Sequence, residues 1–358
     1  MKGVVLINIG SPDAPDAKSA ASYLRQFLMD GEVMRMPFII RYLLVNGIIV
    51  PFRKNHTASL YQAVWSEEGA PLKVYQDRLI RQLREQTDSG QIYITQAMRY
   101  GQPSIDRTLS ELRARDIKDI LFILLYPQNT GSTVSSARKA IKSTIKHQYP
   151  EANYTFIDSF YNNKDYQSCL INEINEKLTG NTNYDKLLFT YHGVPVTHLP
   201  CPRSFNKKCN SEWKGCLWHD DAHKNCYRYQ CYQMTMQICQ SAGFQKEKTE
   251  VAFQSRLGKG EWLKPYLSER VVQLPSEGAT NVAVVTPSFP VDCLETLHEI
   301  KEEAKKSFFE SGGGDFLYIS CLNDRKDWCN VLSHWINCWL NNVEISKSRV
   351  SLPFEQTI

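Results

Sequence analysis

The sequence predicts an α/β fold of two similar Rossmann-like halves, each a four-stranded parallel sheet flanked by helices, with a site in the cleft between them. Three observations predict it. Short β-branched and apolar runs alternate with helix-period segments, the mark of parallel βα units. Eight such runs divide four and four over the 358 residues. Polar or aromatic residues trail most of them, and in open α/β sheets ligands bind outside the carboxyl ends of the strands.

The first run, Gly3 to Ile9, is continuously apolar through Val4-Val5-Leu6-Ile7 and reads as a buried strand that stops at Gly10-Ser11-Pro12-Asp13. One lysine, a short apolar run and a turn do not make an export signal. Ile92 to Ala97, Ile120 to Leu125 and Tyr154 to Ile157 complete the first half. Lys186 to Tyr191, Glu250 to Phe253, Asn281 to Thr286 and Phe316 to Ile319 form the second. Their ends carry Asn8-Ile9-Gly10-Ser11, Met98-Arg99-Tyr100-Gly101, Tyr126-Pro127-Gln128, Tyr191-His192-Gly193, Gln254-Ser255-Arg256 and Pro287-Ser288-Phe289, which suit one shared site. Near Tyr161 to Asp165, Asn-Asn-Lys-Asp interrupts the pattern and marks a link between an N-terminal half at 1–160 and a C-terminal half at 161–330. In the final portion, 331–358, the Trp-rich segment Leu332 to Leu340 is expected to be a helix packing back across the halves.

Met36 to Phe52 is the most apolar stretch, but Pro37, Arg41, Asn46 and Pro51 leave it too short and too interrupted to span a bilayer. Its Phe38, Ile39, Ile40, Leu43, Leu44, Ile48, Ile49 and Val50 suit a cover over an apolar ligand, a membrane-surface contact or a core helix. Hydrophobic residues at 42% and charged residues at 22% describe a globular protein. A net charge of +4 without a basic run gives nucleic-acid binding no support. No G-x-G-x-x-G or Walker A sequence follows a strand, so no nucleotide fold is implied.

The chemistry-bearing residues begin with Glu295, Glu299 and Glu303, whose i, i+4, i+8 spacing stacks three carboxylates on one helix face. Like charges so spaced cost a helix a few tenths of a kcal/mol. The row reads either as a track for metal ions or protons or, with Lys301, Lys305 and Lys306 nearby, as a solvated face. His192 follows a strand and precedes Gly193, where the backbone can turn sharply and aim the imidazole at the cleft. Together they form a His/Glu constellation suited to metal binding or proton transfer. Eleven cysteines without an export signal point to thiols and metal ligands rather than disulfides, and five of them fall between Cys201 and Cys231.

Taken in order, Leu6-Ile7-Asn8-Ile9-Gly10-Ser11-Pro12-Asp13, Met98-Arg99-Tyr100-Gly101-Gln102-Pro103-Ser104, Leu125-Tyr126-Pro127-Gln128, Tyr191-His192-Gly193-Val194-Pro195, Phe253-Gln254-Ser255-Arg256-Leu257-Gly258 with Glu261-Trp262-Leu263, and Val291-Asp292-Cys293-Leu294-Glu295-Thr296-Leu297 resemble the ferrochelatases. These enzymes insert ferrous iron into a porphyrin at the end of heme synthesis. The resemblance runs to Cys321-Leu322-Asn323, nearly the whole chain. It implies protoporphyrin IX and Fe2+ as substrates and release of two protons, with His192 and Glu295 as the catalytic and metal-binding pair. It also implies Glu299 and Glu303 as a relay for protons or metal, and Ile9, Arg99, Tyr100, Tyr126 and Trp262 as the porphyrin pocket. Arg53, Tyr61 and Trp65 are lesser candidates for the propionate rim. The stretch 36–52 corresponds to the family's apolar lip and favours protoporphyrin over the more acidic coproporphyrin. A cytoplasmic protein with peripheral contact at the inner membrane is the expectation.

The chain departs from most relatives in a longer, cysteine-rich insert at 199–231. Spacings among Cys201, Cys209, Cys216, Cys226 and Cys231 match no common zinc-finger or ferredoxin pattern. Some bacterial ferrochelatases hold a [2Fe-2S] cluster, and the insert resembles that arrangement, with Cys209, Cys216, Cys226 and Cys231 as ligands and Cys201 spare. Structural zinc with His219 or His223, and unliganded thiols or disulfides, compete. Cys293 matches the Asp-Cys-Leu-Glu form of many relatives and needs no metal role. Two other functions stay open: a chelatase for another tetrapyrrole or metal (coproporphyrin-iron or cobalt), and a non-catalytic two-lobed carrier of heme or metal.

Overall fold

The computed structural model describes residues 1–87, 90–179, 183–200, 225–256 and 260–343. β1 (Lys2–Asn8) is buried from its second residue on, as its apolar run requires. It pairs in parallel with β2 (Ile92–Met98) and β3 (Asp119–Leu124), and β3 pairs with β4 (Asn153–Ile157), giving the order β2-β1-β3-β4. β5 (Lys186–His192), β6 (Thr249–Gln254), β7 (Asn281–Val285) and β8 (Asp315–Tyr318) repeat that order as β6-β5-β7-β8. All eight expected strands are present, with ends displaced by a residue, and the two halves share one topology.

Local signals explain where the first-half helices start. α1 (Ala17–Leu28) is capped by Asp16, which accepts from the N–H groups of Lys18 and Ser19 at 2.8 Å. α2 (Phe38–Leu44) continues through a π-turn at Val45–Ile49 into α3 (Val50–Val64). α4 (Pro71–Gln86) begins on a proline, which has no N–H to leave unpaired. Ser104 caps α5 (Ile105–Ala114), and α6 (Ser136–Gln148) precedes β4.

Residues 158–163 connect β4 to α7 (Lys164–Leu178), whose cap is Asn163. α8 (Tyr227–Ala242) stops at Gly243, whose φ of +71° suits glycine. α9 (Leu267–Gln273), α10 (Leu294–Leu297), α11 (Lys305–Glu310) and α12 (Lys326–Leu340) follow.

One expectation needs correction. The carboxylate segment is not one α-helix: α10 ends at Leu297, and a π-turn at Glu299–Ala304 leads into α11. There the Glu303 N–H reaches back five residues to His298 O at 2.9 Å, so the i, i+4, i+8 stack of an α-helix is broken. The Trp-rich segment Leu332 to Leu340 is helical as expected, within a helix that begins at Lys326.

One core joins the halves. Leu6 and Leu79 of the first half share an apolar cluster with Leu187, Phe189, Trp328 and Trp335. α12 lies against both α4 and α7, as expected for a helix packing back across the halves. Along 36–52, Val45 and Val50 are buried against Ala21, Leu24 and Leu28 of α1. α2 buries nothing: Phe38, Ile39 and Leu43 are 62%, 72% and 64% exposed, so a core helix is excluded there. No helix among the described residues is long and apolar enough to cross a membrane.

Candidate active site

His192 ends β5, half-buried. Its Nδ1 lies 2.7 Å from Gly193 O. A carbonyl only accepts, so Nδ1 is the donor in this bond, and in the neutral imidazole the lone pair is then on Nε2. The backbone around it is held from several sides: Gly193 N–H donates to Gln254 O at 2.7 Å, and the Tyr227 hydroxyl donates to His192 O at 2.7 Å. Gly193 is required by close approach, since a Cβ there would stand 2.7 Å from Gln254 O and 3.3 Å from the Trp262 ring. Trp262 is therefore packed beside Gly193, the residue after the histidine, and is bridged to Pro195. Phe289, from the turn after β7, places its ring 6.4 Å from the imidazole at 54°.

Glu295 occupies the first turn of α10, where a carboxylate complements the helix dipole. Gln254 ties it to the histidine strand: its Nε2 donates to Glu295 O at 3.1 Å, and its Oε1 accepts from Thr190 at 3.3 Å. Behind α10, the buried Asp292 carboxylate accepts from Thr296 at 2.8 Å, from Asn323 at 2.7 Å and from Tyr318. That network anchors the segment bearing Glu295 to the end of β8.

Glu299 is reached by Ser255, whose hydroxyl donates to its Oε2 from a residue held at φ +64°. Burial, and then the negative charges of Glu295 and Glu303, push the Glu299 carboxyl up to about 7, against the opposing bonds from Ser255 and Gln254. Glu303 is solvent-exposed, with His298 Nδ1 at 3.6 Å. Glu299 is thus buried and feels the charges of both Glu295 and the exposed Glu303, although the π-turn departs from α-helical stacking.

The first half faces them. α3 packs against α10. The phenols of Tyr23 and Tyr61, first through burial and then partly through the charge of Glu295, are held well above their ordinary values and stay neutral. Tyr23 meets Tyr61 and Tyr100 edge-on at 6.3 and 6.4 Å. Ile9 packs both on the cluster containing Tyr126 and on the one containing Val291 and Cys293, so it spans the cleft. Tyr126 is buried, and its hydroxyl has no partner among the described residues.

Arg99 pairs with Asp30, donates to Ser136 Oγ at 2.7 Å and lies over the Tyr100 ring at 4.6 Å. Tyr100 donates to the same Asp30 at 2.9 Å. Arg53 is exposed on α3, and Tyr61 stands edge-on to Trp65 at 6.3 Å.

Asp30 carries no signal in the sequence, and Tyr23, Asp292, Gln254 and Ser255 lie in family-like stretches that give no hint of the bonds they make. Gln254 and Ser255 stand at a strand end, the position that marks ligand sites in such sheets. Asp30 and Tyr23 sit on or after α1, where spacing gives no hint that they face the cleft. Of the proposed cluster ligands, Cys209 and Cys216 lie outside the described residues, as do Cys201, His219 and His223. Cys226 caps α8, and Cys231, five residues on, is fully buried.

A family model described as Ferrochelatase matches residues 1–338. A relative from Coxiella burnetii (strain CbuG_Q212), named Ferrochelatase, is 36% identical over 331 residues, 92% of each chain. Another so named, from Porphyromonas gingivalis, is 36% identical over 333 residues, 92% of this chain and 94% of its own. Among solved structures, SirB from Bacillus subtilis with Fe3+ aligns with a TM-score of 0.48 at 9% identity, over 75% of this chain and 91% of that one.

Proposed function

Because the chain belongs to the ferrochelatase family, we propose that the porphyrin it metallates is protoporphyrin IX and that His192 and Glu295 carry the reaction. As a member of that family it is a metal chelatase, a lyase of heme biosynthesis whose substrates are a porphyrin and ferrous iron. Insertion must remove two pyrrole protons and bring iron, partly stripped of water, to four ring nitrogens.

The observation that carries the proposal is the bond from His192 Nδ1 to Gly193 O at the end of β5, which fixes the tautomer so that Nε2 is the basic nitrogen of the neutral ring. Nε2 accepts a pyrrole proton. Glu295 offers an anionic oxygen to the incoming Fe2+ or to the second proton. Glu299, poised near neutrality, passes protons outward to exposed Glu303. Ile9, Tyr100, Tyr126 and Trp262 supply apolar and aromatic walls for the ring. Arg99 has its charge offset by Asp30 and acts by holding Tyr100, which leaves Arg53 as the exposed cation for a propionate.

The exposed apolar face of α2 supports the less acidic porphyrin and peripheral contact of a cytoplasmic protein with a membrane through 36–52. An anaerobic comparison of kcat/KM for protoporphyrin IX and coproporphyrin III tests the substrate, with protoporphyrin expected to be preferred at least tenfold. Preference for the coproporphyrin, or turnover with Co2+ and a precorrin-like ring alone, contradicts it. Binding without turnover returns the carrier reading.

For the insert we propose a [2Fe-2S] cluster on Cys209, Cys216, Cys226 and Cys231, with zinc as the competing occupant. Cys226 and Cys231 come from one end of α8, and each thiol is enclosed by the core, where a bound cation offsets the cost of a thiolate. Metalation involves no net electron transfer, so a structural role is assigned. A colourless protein after anaerobic purification rules the cluster out.

A further inference from the structure

A second cleft lies on the outer edge of the first sheet, apart from the residues described above. β2 is an edge strand, and two of its carbonyls are covered by side chains. Arg84 donates to Ile94 O through Nε at 2.9 Å and Nη2 at 2.6 Å, and Thr108 donates to Gln96 O at 3.0 Å. Such covering blunts the edge against pairing with another strand. Over it, between α4 and α5, opens a cleft of about 630 Å³ whose charged walls are Asp77, Arg81, Arg84, Arg107 and Glu111.

The charges there are unevenly satisfied. Asp77 accepts from the Gln96 amide, and Glu111 accepts from the Tyr93 hydroxyl and pairs with Arg115 at 3.4 Å. Arg84 is bound to its carbonyl. Arg81 on α4 and Arg107 on α5 face the cleft from its two sides, and no carboxylate among the described residues pairs with either. Two guanidinium forks lining one concave wall have the chemistry to take an oxyanion, since each fork matches two oxygens at once. The volume suits a small molecule rather than a lone inorganic ion.

We propose that this cleft binds a small phosphate-bearing anion held between Arg81 and Arg107. Gln102 and Pro103 line its end and belong to the turn that carries Arg99 and Tyr100, where Met98 N–H donates to Pro103 O at 2.7 Å. An occupant therefore rests against the back of a turn whose front faces the reaction cleft.

Calorimetric titration of the full chain with inorganic pyrophosphate is the test. Saturable binding is expected, weakened when ionic strength rises from about 0.01 M to about 0.1 M as the Debye length falls from about 30 Å to about 10 Å. Arg81→Ser/Arg107→Ser is expected to lose affinity at least tenfold while retaining wild-type iron insertion, which shows that it folds. Competition by vesicles containing phosphatidylglycerol assigns the phosphate to a lipid headgroup, and its absence assigns it to a soluble anion. Both results keep the receptor. Equal affinity in the double variant, or no binding at millimolar pyrophosphate, overturns it.

Discussion

The Ser255 hydroxyl, held on a left-handed residue just past β6, donates to the buried carboxylate of Glu299. This bond brings the end of a sheet strand to the π-turn, and it sets the environment of a carboxyl whose proton is retained up to about pH 7.

Glu299 should leave its mark on the pH dependence of both rate and stability. Its folded value is raised, so the native state holds a proton that the unfolded chain has released. Stability from this group is therefore greatest below the ordinary carboxylate range and falls as pH rises towards about 7, levelling above it. Glu299→Gln should flatten that slope and remove a limb near neutrality from the kcat profile. Denaturant midpoints and kcat from pH 5 to 9 check both.

Gly193→Ala should lower kcat by an order of magnitude or more. The added methyl falls 2.7 Å from Gln254 O, a backbone atom that cannot swing aside. Overpacking of this kind costs about 1–3 kcal/mol and moves the residue that aims His192. Thermal unfolding and steady-state kinetics read the two effects separately.

Asp30→Asn tests whether the Arg99 pair builds the pocket wall. Burial opposes its ionisation, but bonds from Ser136 and the Glu32 N–H, with the charge of Arg99, hold the Asp30 carboxyl below its ordinary value. The sign is opposite to that of Glu299: its contribution is present above the ordinary Asp range and is lost as pH falls through the lowered value. The variant should lose about 1–3 kcal/mol at pH 7. The difference from wild type should shrink in acid, and KM for the porphyrin should rise as Tyr100 loses its anchor. Urea unfolding at pH 7 and pH 3 decides it.

Ile39→Ser/Leu43→Ser should weaken binding to vesicles at least tenfold, since each buried aliphatic side chain contributes about 1.5–3 kcal/mol. Both side chains stand in solvent, so stability should hardly change. Sedimentation with vesicles, alongside a melting curve, distinguishes a membrane face from an idle one.

The sheets were legible because Val4-Val5-Leu6-Ile7 and its seven counterparts are short runs closed by turn residues, which leaves little choice but parallel strands, buried in the middle of each sheet and exposed at an edge such as β4. His192 and Glu295 stood out as candidates because a histidine at a strand end and a carboxylate row are unusual in type and spacing, and the fold joins their segments through Gln254. The π-turn was not, because its five-residue hydrogen bond from Glu303 to His298 depends on what packs against the helix and leaves no mark on the order of charges. The commitment of Arg99 to Asp30 escaped for a related reason: the partners are 69 residues apart, and only the fold of α1 against the β2 turn joins them.

The central claim is that His192 Nε2 takes a pyrrole proton during iron insertion. Wild-type protein and His192→Ala are compared anaerobically with Fe2+ and protoporphyrin IX, following metalloporphyrin formation, with porphyrin binding measured in parallel. The predicted result is retained porphyrin binding with kcat reduced at least a hundredfold, in keeping with loss of a general base. A His192→Ala protein that inserts iron at the wild-type rate contradicts the account.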